Sequence, residues 1–420
     1  MRSGGSGMLT DLEPALASIP GKYLMVTNVP LHRSADGAIC AGQLWFKDLA
    51  EHLAYLDSFS IACPILSGMP AEATVFLNSD PRFSRVQIVE LPAPNSLVAA
   101  ILALPQTIWR LLRPIRRADI VHSVVAGWPI PYGWIVTPLA KMFRKRLVII
   151  VESAPWRLKP GLPQSSKSRL TAAVYERLAR WCLRRTDLPI FTQDEYRRSL
   201  LTVEPERGHV IHASWIDKDV VVSDAHAGAI WLEKMQRGSN RLALIFVGRL
   251  EQQKGVAVLL DSIRAAARKN LPVSLDILGS GELASKCKEV SDELQGSTRV
   301  NLLGTVAYGA PLFELLQRYH AVILPSISDE QPRIVYDAYS QGLPVLASST
   351  AGLRDCIRDG ETGWLIEPNN VEALSGVIER AANNVFELQR MGMEGLGVAR
   401  SMTHQRMHSE RQRLLLQLTQ

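Results

Sequence analysis

Strand-length apolar runs alternate with helical stretches along almost the whole chain, and this rhythm constrains the fold more than any single motif. In the first half the runs fall at residues 23–29, 60–65, 85–89, 120–123, 147–151 and 188–191. In the second half they fall at 242–247, 274–278, 300–303, 321–324, 344–347 and 363–366. Apolar strands separated by helix-length segments predict a parallel sheet with crossover helices, hence an α/β fold. The 420 residues exceed what one hydrophobic core usually holds, and domains of about 150–200 residues are the norm. The rhythm lapses between 203 and 239. The expected organisation is therefore a loose leader at 1–20, a first domain at 21–205, a linker at 206–239, a second domain at 240–400 and a helical tail at 401–420, with nothing in the tail to say which domain it joins.

Charge bears on partners. The net charge is +6, and the basic residues gather in the first half, at Arg110, Arg113, Arg116 and Arg117, at Lys141, Arg144, Lys145 and Arg146, and at Arg177, Arg180, Arg184 and Arg185. No aromatic interleaving or nucleic-acid-binding pattern accompanies them, so nucleic acid is not the expected partner. An anionic membrane surface fits, and so do solvated helix faces. The apolar segment 97–112, with Trp109 and the four arginines beside it, falls short of the about 20 apolar residues that a spanning helix needs. It reads as an interfacial helix or as an ordinary core-packing one. The five cysteines form no Cys-x-x-Cys pair, which points away from disulfides and zinc, and towards a reducing cytoplasm. The N-terminus lacks the apolar core of a secretory signal.

The sharpest local signal lies where the run at 243–247 meets Gly248-Arg249-Leu250-Glu251-Gln252-Gln253-Lys254-Gly255 and a helical stretch. A strand, a glycine turn and a helix N-terminus offer free backbone N–H groups and a favourable dipole to an anion. Arg249 and Lys254 add a forked cation and a compact one, which together suit a diphosphate. The plain alternative is a strand-to-helix turn with solvated charges.

This signature, Gly-Arg-Leu, three residues and Lys-Gly, resembles that of the retaining glycosyltransferases of family 4, the glycosyl transferases group 1. The resemblance continues in order through 241–366: Gly279-Ser280-Gly281-Glu282 after a strand, Gly304 after the next, and Leu324-Pro325-Ser326 leading to Ala338-Tyr339-Ser340-Gln341-Gly342-Leu343-Pro344-Val345. It implies a GT-B fold, two Rossmann-like domains facing across a cleft. It implies transfer of a hexosyl unit, with retention, from a UDP- or GDP-sugar held by the second domain to an acceptor held by the first.

In the family a first Glu and, eight residues on, a second Glu precede the Ala; here Asp329 and Asp337 stand at those positions, with Glu330 beside the first. The resemblance gives Asp329 a catalytic place and Asp337 the ribose hydroxyls. Gly248, Arg249, Lys254, Gly304 and the loop Gln331-Pro332-Arg333-Ile334 are the remaining nucleotide-sugar contacts, Arg333 serving as a third cation or as an ion-pair partner. In the first domain, Gly42 matches the family's glycine loop, whose role is to let a ligand approach the backbone. Where the family often has a His, this chain has Glu152 at a strand's C-terminal end, placed to bind hydroxyls, to act as the base for the acceptor, or to cap the next turn.

No metal is required by this reading: no Asp-x-Asp ends a strand, and the two cations neutralise the leaving diphosphate. His32, His122, His209 and His212 lack metal-ligand spacing. The basic clusters and the 97–112 segment suggest a glycan acceptor on a lipid carrier, as in polysaccharide or lipopolysaccharide assembly, on the inner face of the cell membrane. Two rivals stand beside it, a non-catalytic subunit that binds nucleotide sugar and a nucleotide-sugar epimerase of the same shape. A nicotinamide-dependent dehydrogenase is disfavoured, because neither half has Gly-x-Gly-x-x-Gly followed by an acid.

Overall fold

The computed structural model describes residues 17–70, 73–127, 129–158, 164–236, 241–328 and 332–420. In the first domain the strands are β1 (Ile19–Val26), β2 (Leu31–Arg33), β3 (Ile39–Gly42), β4 (Leu56–Ser67), β5 (Thr74–Phe76), β6 (Gln87–Leu91), β7 (Ile120–Val124), β8 (Arg146–Val151), β9 (Leu188–Phe191) and β10 (His209–Val210). Its parallel body runs β6-β4-β1-β7-β8-β9-β10. β2 continues alongside β4, and β3 and β5 add an antiparallel fringe.

The second domain holds β11 (Leu242–Val247), β12 (Val273–Leu278), β13 (Arg299–Gly304), β14 (Ala321–Leu324), β15 (Val345–Ser348) and β16 (Gly363–Ile366), all parallel in the order β13-β12-β11-β14-β15-β16. Strands such as β8, buried from Leu147 to Val151, are continuous apolar runs because helices cover both faces of a parallel sheet. In each sheet the strand order reverses once, between β1 and β7 and between β11 and β14. Open α/β sheets bind ligands outside the strand ends at such points.

The connection between the domains differs from the linker expected at 206–239. Its start, β10, pairs with β9 in the first sheet, whereas the helix Asp224–Gln236 drops Trp231, fully buried, into the second core. Only the stretch around 211–223 bridges the two. One buried indole that donates to the Gly342 carbonyl at 2.9 Å makes the helix part of the second domain, and polar surface residues around it hide this in the sequence.

The tail also crosses over. The helix Val385–Ser401 packs on the second domain, but the final helix, His404–Thr419, returns to the first and buries Met407, Leu414 and Leu415 among Ile19, Tyr23, Leu49 and Tyr55. The two crossings are tied where the His404 N–H donates to the Ile216 carbonyl at 2.8 Å.

The apolar segment at 97–112 belongs to a longer helix, Leu97–Arg117, which runs through Pro105 and Pro114. Ser96 caps it, accepting from the Ala99 N–H at 3.2 Å. Ala100, Thr107, Leu111 and Ile115 face inward, while Val98, Ile101, Leu102 and Trp109 are exposed. No helix among the described residues is long and apolar enough to cross a membrane.

Candidate active site

The turn after β11 is held by close backbone approaches. Gly255 takes φ +69°, and a Cβ there would lie 1.7 Å from the Pro325 carbonyl oxygen. A Cβ on Gly279 would lie 1.9 Å from the Gly248 carbonyl oxygen. Both positions therefore require glycine. The Leu250 N–H donates to Ser280 at 2.8 Å and the Ile327 N–H to Gln253 at 2.9 Å, so the loops after β11, β12 and β14 are laced into one cradle. The helix Val256–Arg268 starts from it with no side-chain cap, leaving its first N–H groups open to an anion.

Gly248, Arg249, Lys254, Pro332, Arg333 and Ile334 line one cavity of about 780 Å³ between the domains, with Ser153, Pro155, Arg157 and Tyr196 on the opposite wall. Arg249 pairs with Glu251 at 2.8 Å, yet its side chain remains 72% exposed. An exposed ion pair of this kind contributes little and leaves the guanidinium available to a ligand. Arg333 lies with its guanidinium carbon 5.1 Å from the centre of the Trp215 ring, a cation–π contact, and no ion pair holds it among the described residues. The ion-pair alternative is not realised among the described residues.

A second cavity of about 450 Å³ opens on the first domain and shares Ser153, Pro155 and Arg333 with the first, so the cleft is continuous. Thr27, Asn28, Val124 and Gly127 from the β1 and β7 loops line it, at that sheet's own reversal point, together with Asp48, His122, Glu152, Trp215 and Arg411. Glu152 is exposed to solvent along the cleft, although these groups crowd its carboxyl. Burial and the nearby Asp48 raise its carboxyl above the ordinary value, and Arg411 and Arg333 oppose them. Its carboxylate makes no hydrogen bond among the described residues, so the turn-capping alternative is not realised there.

The other predicted residues lie elsewhere. Gly42 is buried at the end of β3 with φ −64°, a conformation open to any residue, and it lines neither cavity. Its neighbours in the helix Gln43–Tyr55, Leu44, Trp45 and Asp48, are the ones that face the second cavity. Gly304 ends β13 at φ +74°, where its carbonyl accepts from the Gly279 N–H at 2.6 Å, outside both cavities. Asp337 is 4% exposed, and its Oδ1 accepts from the Tyr308 hydroxyl at 2.9 Å. Burial pushes its carboxyl up to about 7, against the pull of Tyr308, Arg333 and Lys47. It lies one helical turn behind Arg333, outside the residues lining either cavity. Asp329, Glu330 and Gln331 fall outside the described residues.

Both switch points thus open on one cleft, with the cations on the second domain's wall. The chain resembles the glycosyl transferases group 1. Residues 230–395 match that family's sequence model. Among curated relatives, the alpha-1,3/1,6-mannosyltransferase alg-2 of Neurospora crassa is 28% identical over 193 residues, covering 43% of this chain and 41% of that protein. The capsular polysaccharide biosynthesis glycosyltransferase CapM of Staphylococcus aureus is 23% identical over 191 residues, 43% of this chain and 50% of the relative. The chain thus spans half or less of these two relatives' length. The solved structure of Anabaena Alr3699/HepE in complex with UDP superposes with a TM-score of 0.64 at 15% identity, covering 93% of this chain and 98% of that one. The fold is GT-B, two Rossmann-like domains across a cleft.

Sequence reasoning missed Asp48, Trp215, Tyr308 and Arg411. The one available signal was His404-x-x-x-His408 followed by Arg411, which puts three polar groups on one face of the last helix.

Proposed function

We propose that the chain is a retaining glycosyltransferase that moves a hexosyl unit from a UDP- or GDP-sugar to a glycan acceptor carried on a lipid. The observation that carries this is Arg249 and Lys254 beside an uncapped helix N-terminus on one wall of a cleft whose other wall presents Glu152. When the bond between the donor's C1 and its diphosphate oxygen breaks, negative charge grows on the leaving group. The two cations and the helix N–H groups lie on the wall where that charge develops and offset it. The acceptor hydroxyl oxygen bonds to C1 and gives up its proton. Glu152, whose carboxyl is raised above its ordinary value, binds or deprotonates that hydroxyl. Asp329 and Gln331 are carried into this reading from the sequence as donor contacts. The diphosphate requires no divalent ion, so activity is expected to persist without Mg2+ or Mn2+.

The relatives' names, a mannosyltransferase and a capsular polysaccharide enzyme, and the UDP held by the solved neighbour support this class of donor and product. The exposed apolar face of the helix Leu97–Arg117, with Arg113, Arg116 and Arg117 at its end, supports a peripheral place on the anionic inner face of the cell membrane. The test is release of UDP or GDP from labelled sugar nucleotides with lipid-linked acceptors, and the anomeric form of the product. Lys254→Ala and Arg249→Ala are each expected to lower kcat by roughly 10²-fold, the scale for losing one preorganised charge donor. Unchanged rates, or an inverted product, refute the assignment.

One observation favours a second reading, a non-catalytic nucleotide-sugar binder: Asp337 is buried and engaged by Tyr308 rather than open to a ribose. Tight UDP binding without turnover in the same assay supports that reading. UDP release without any acceptor points to an epimerase instead.

A further inference from the structure

Where the last helix meets the helix Gln43–Tyr55, three potential metal ligands converge. Asp48, His404 and His408 are all buried, and one ligand atom from each lies within 4.8 Å of the others. His408 Nε2 is 3.1 Å from Asp48 Oδ1, a spacing that two ligands of one ion adopt when each is about 2.0–2.1 Å from it. His404 and His408 are four residues apart on one helix, so their rings project from the same face, with centroids 4.6 Å apart.

The hydrogen bonds of the His404 ring leave its second nitrogen open. His404 Nδ1 faces the Ser214 carbonyl at 3.0 Å, and its Nε2 has no partner although the residue is fully buried. A neutral ring that donates from Nδ1 to a carbonyl keeps a lone pair on Nε2, the tautomer that metal-binding histidines are held in by their outer partners. His408 Nδ1 lies 3.2 Å from the Tyr55 hydroxyl, and its Nε2, which donates to the Asp48 carboxylate at 3.1 Å, gives up that proton when an ion takes its place between them. Arg411, 3.9 Å from Asp48 Oδ1, is too far for a hydrogen bond and does not take up that oxygen.

We propose that Asp48, His404 and His408 bind one borderline divalent transition-metal ion, of the Zn2+ class. Two imidazoles and one carboxylate form a donor set typical of zinc sites that keep a fourth position open. Asp48 lines the floor of the first-domain cavity, so the ion enters and takes its fourth ligand from there. The ion clamps the last helix to the first domain at the point where the chain crosses over. It lies on the first-domain side of the cleft, apart from Arg249 and Lys254, and does not depend on which sugar is transferred.

The test is titration of the untagged, chelator-stripped full chain with Co2+, read by its visible d–d absorption, followed by displacement with Zn2+ and the thermal shift that Zn2+ confers. One equivalent is expected to bind with micromolar affinity or tighter and to raise the unfolding temperature. His404→Asn keeps an amide donor for the Ser214 carbonyl but lacks the second nitrogen, and His408→Asn is its companion. Each is expected to unfold like the wild type in chelator yet to bind at least about tenfold more weakly. Absence of the cobalt band and of the Zn2+ shift in the wild type, or undiminished binding by either variant, overturns the proposal.

Discussion

Gly255→Ala tests whether the anion cradle is as tightly built as its contacts imply. At φ +69° an alanine pays the left-handed penalty of about 1–2 kcal/mol. Its Cβ would also sit 1.7 Å from the Pro325 carbonyl oxygen, far inside contact distance, and the obstacle is backbone rather than a movable side chain. Relief requires the loops after β11 and β14 to separate, a forced overpacking that typically costs a further ~1–3 kcal/mol. The sum, about 2–5 kcal/mol, lowers the second domain's transition by roughly 4–20 °C, since each kcal/mol shifts a domain of this size by about 2–4 °C. Calorimetry reads the transition, and thermal shift with UDP or GDP reads the site. Nucleotide stabilisation is expected to vanish, because the separated loops no longer hold Arg249 and Lys254 together. Gly397→Ala is the control: it is exposed within the helix Val385–Ser401, a Cβ there meets nothing within 4 Å, and about 0.5–1 kcal/mol of stabilisation is expected. A Gly255→Ala protein that melts within a degree of wild type and still binds nucleotide refutes the cradle argument.

Asp337 offers a pH signature. Its carboxyl is raised to about 7 in the folded chain, so between roughly pH 4 and 7 the folded state holds a proton that the unfolded state has lost, and stability falls as pH rises through that window. Asp337→Asn, which keeps an oxygen to accept from Tyr308, is expected to flatten this slope and raise the unfolding temperature at pH 7.5; an unchanged slope would place the titration elsewhere. If Asp337 also holds the ribose, the same variant weakens UDP binding, measured by calorimetric titration. Leu415→Ala, in the last helix, is expected to destabilise the first domain by about 2–5 kcal/mol while leaving the second domain's transition in place, because the side chain is fully buried in the first core. A downward shift of the second transition alone would contradict that packing.

The two parallel sheets were legible because a strand buried on both faces must be apolar throughout. β8, β9, β11 and β14 therefore stand out as apolar runs. The fringe strands β2, β3 and β5, three or four residues each, carry no such pattern; they exist because β4 extends past the body of the sheet and offers β2 an edge to pair with. The helix Asp224–Gln236 looked like linker because only Ala227 and Trp231 are buried on it. Arg249, Lys254, Pro332, Arg333 and Ile334, which line one cavity, could be picked out because a local motif needs only its own strand, turn and helix. Gly42 misled for the opposite reason: a glycine in a loop is ambiguous until a φ angle or a neighbour decides its role.

What the sequence determined by itself was thus the α/β class, the duplication of the sheet and the strand–turn–helix unit at 242–268, all set by patterns that repeat within about 30 residues. What only the tertiary structure decided was which residues share a space across hundreds. Asp48 meets His408 and Arg411 some 360 positions away, and Glu152 faces Arg333 across the cleft. The first of these pairings follows from the last helix crossing back to the first domain, driven by the burial of Met407, Leu414 and Leu415, and an apolar helix face does not specify which core it enters.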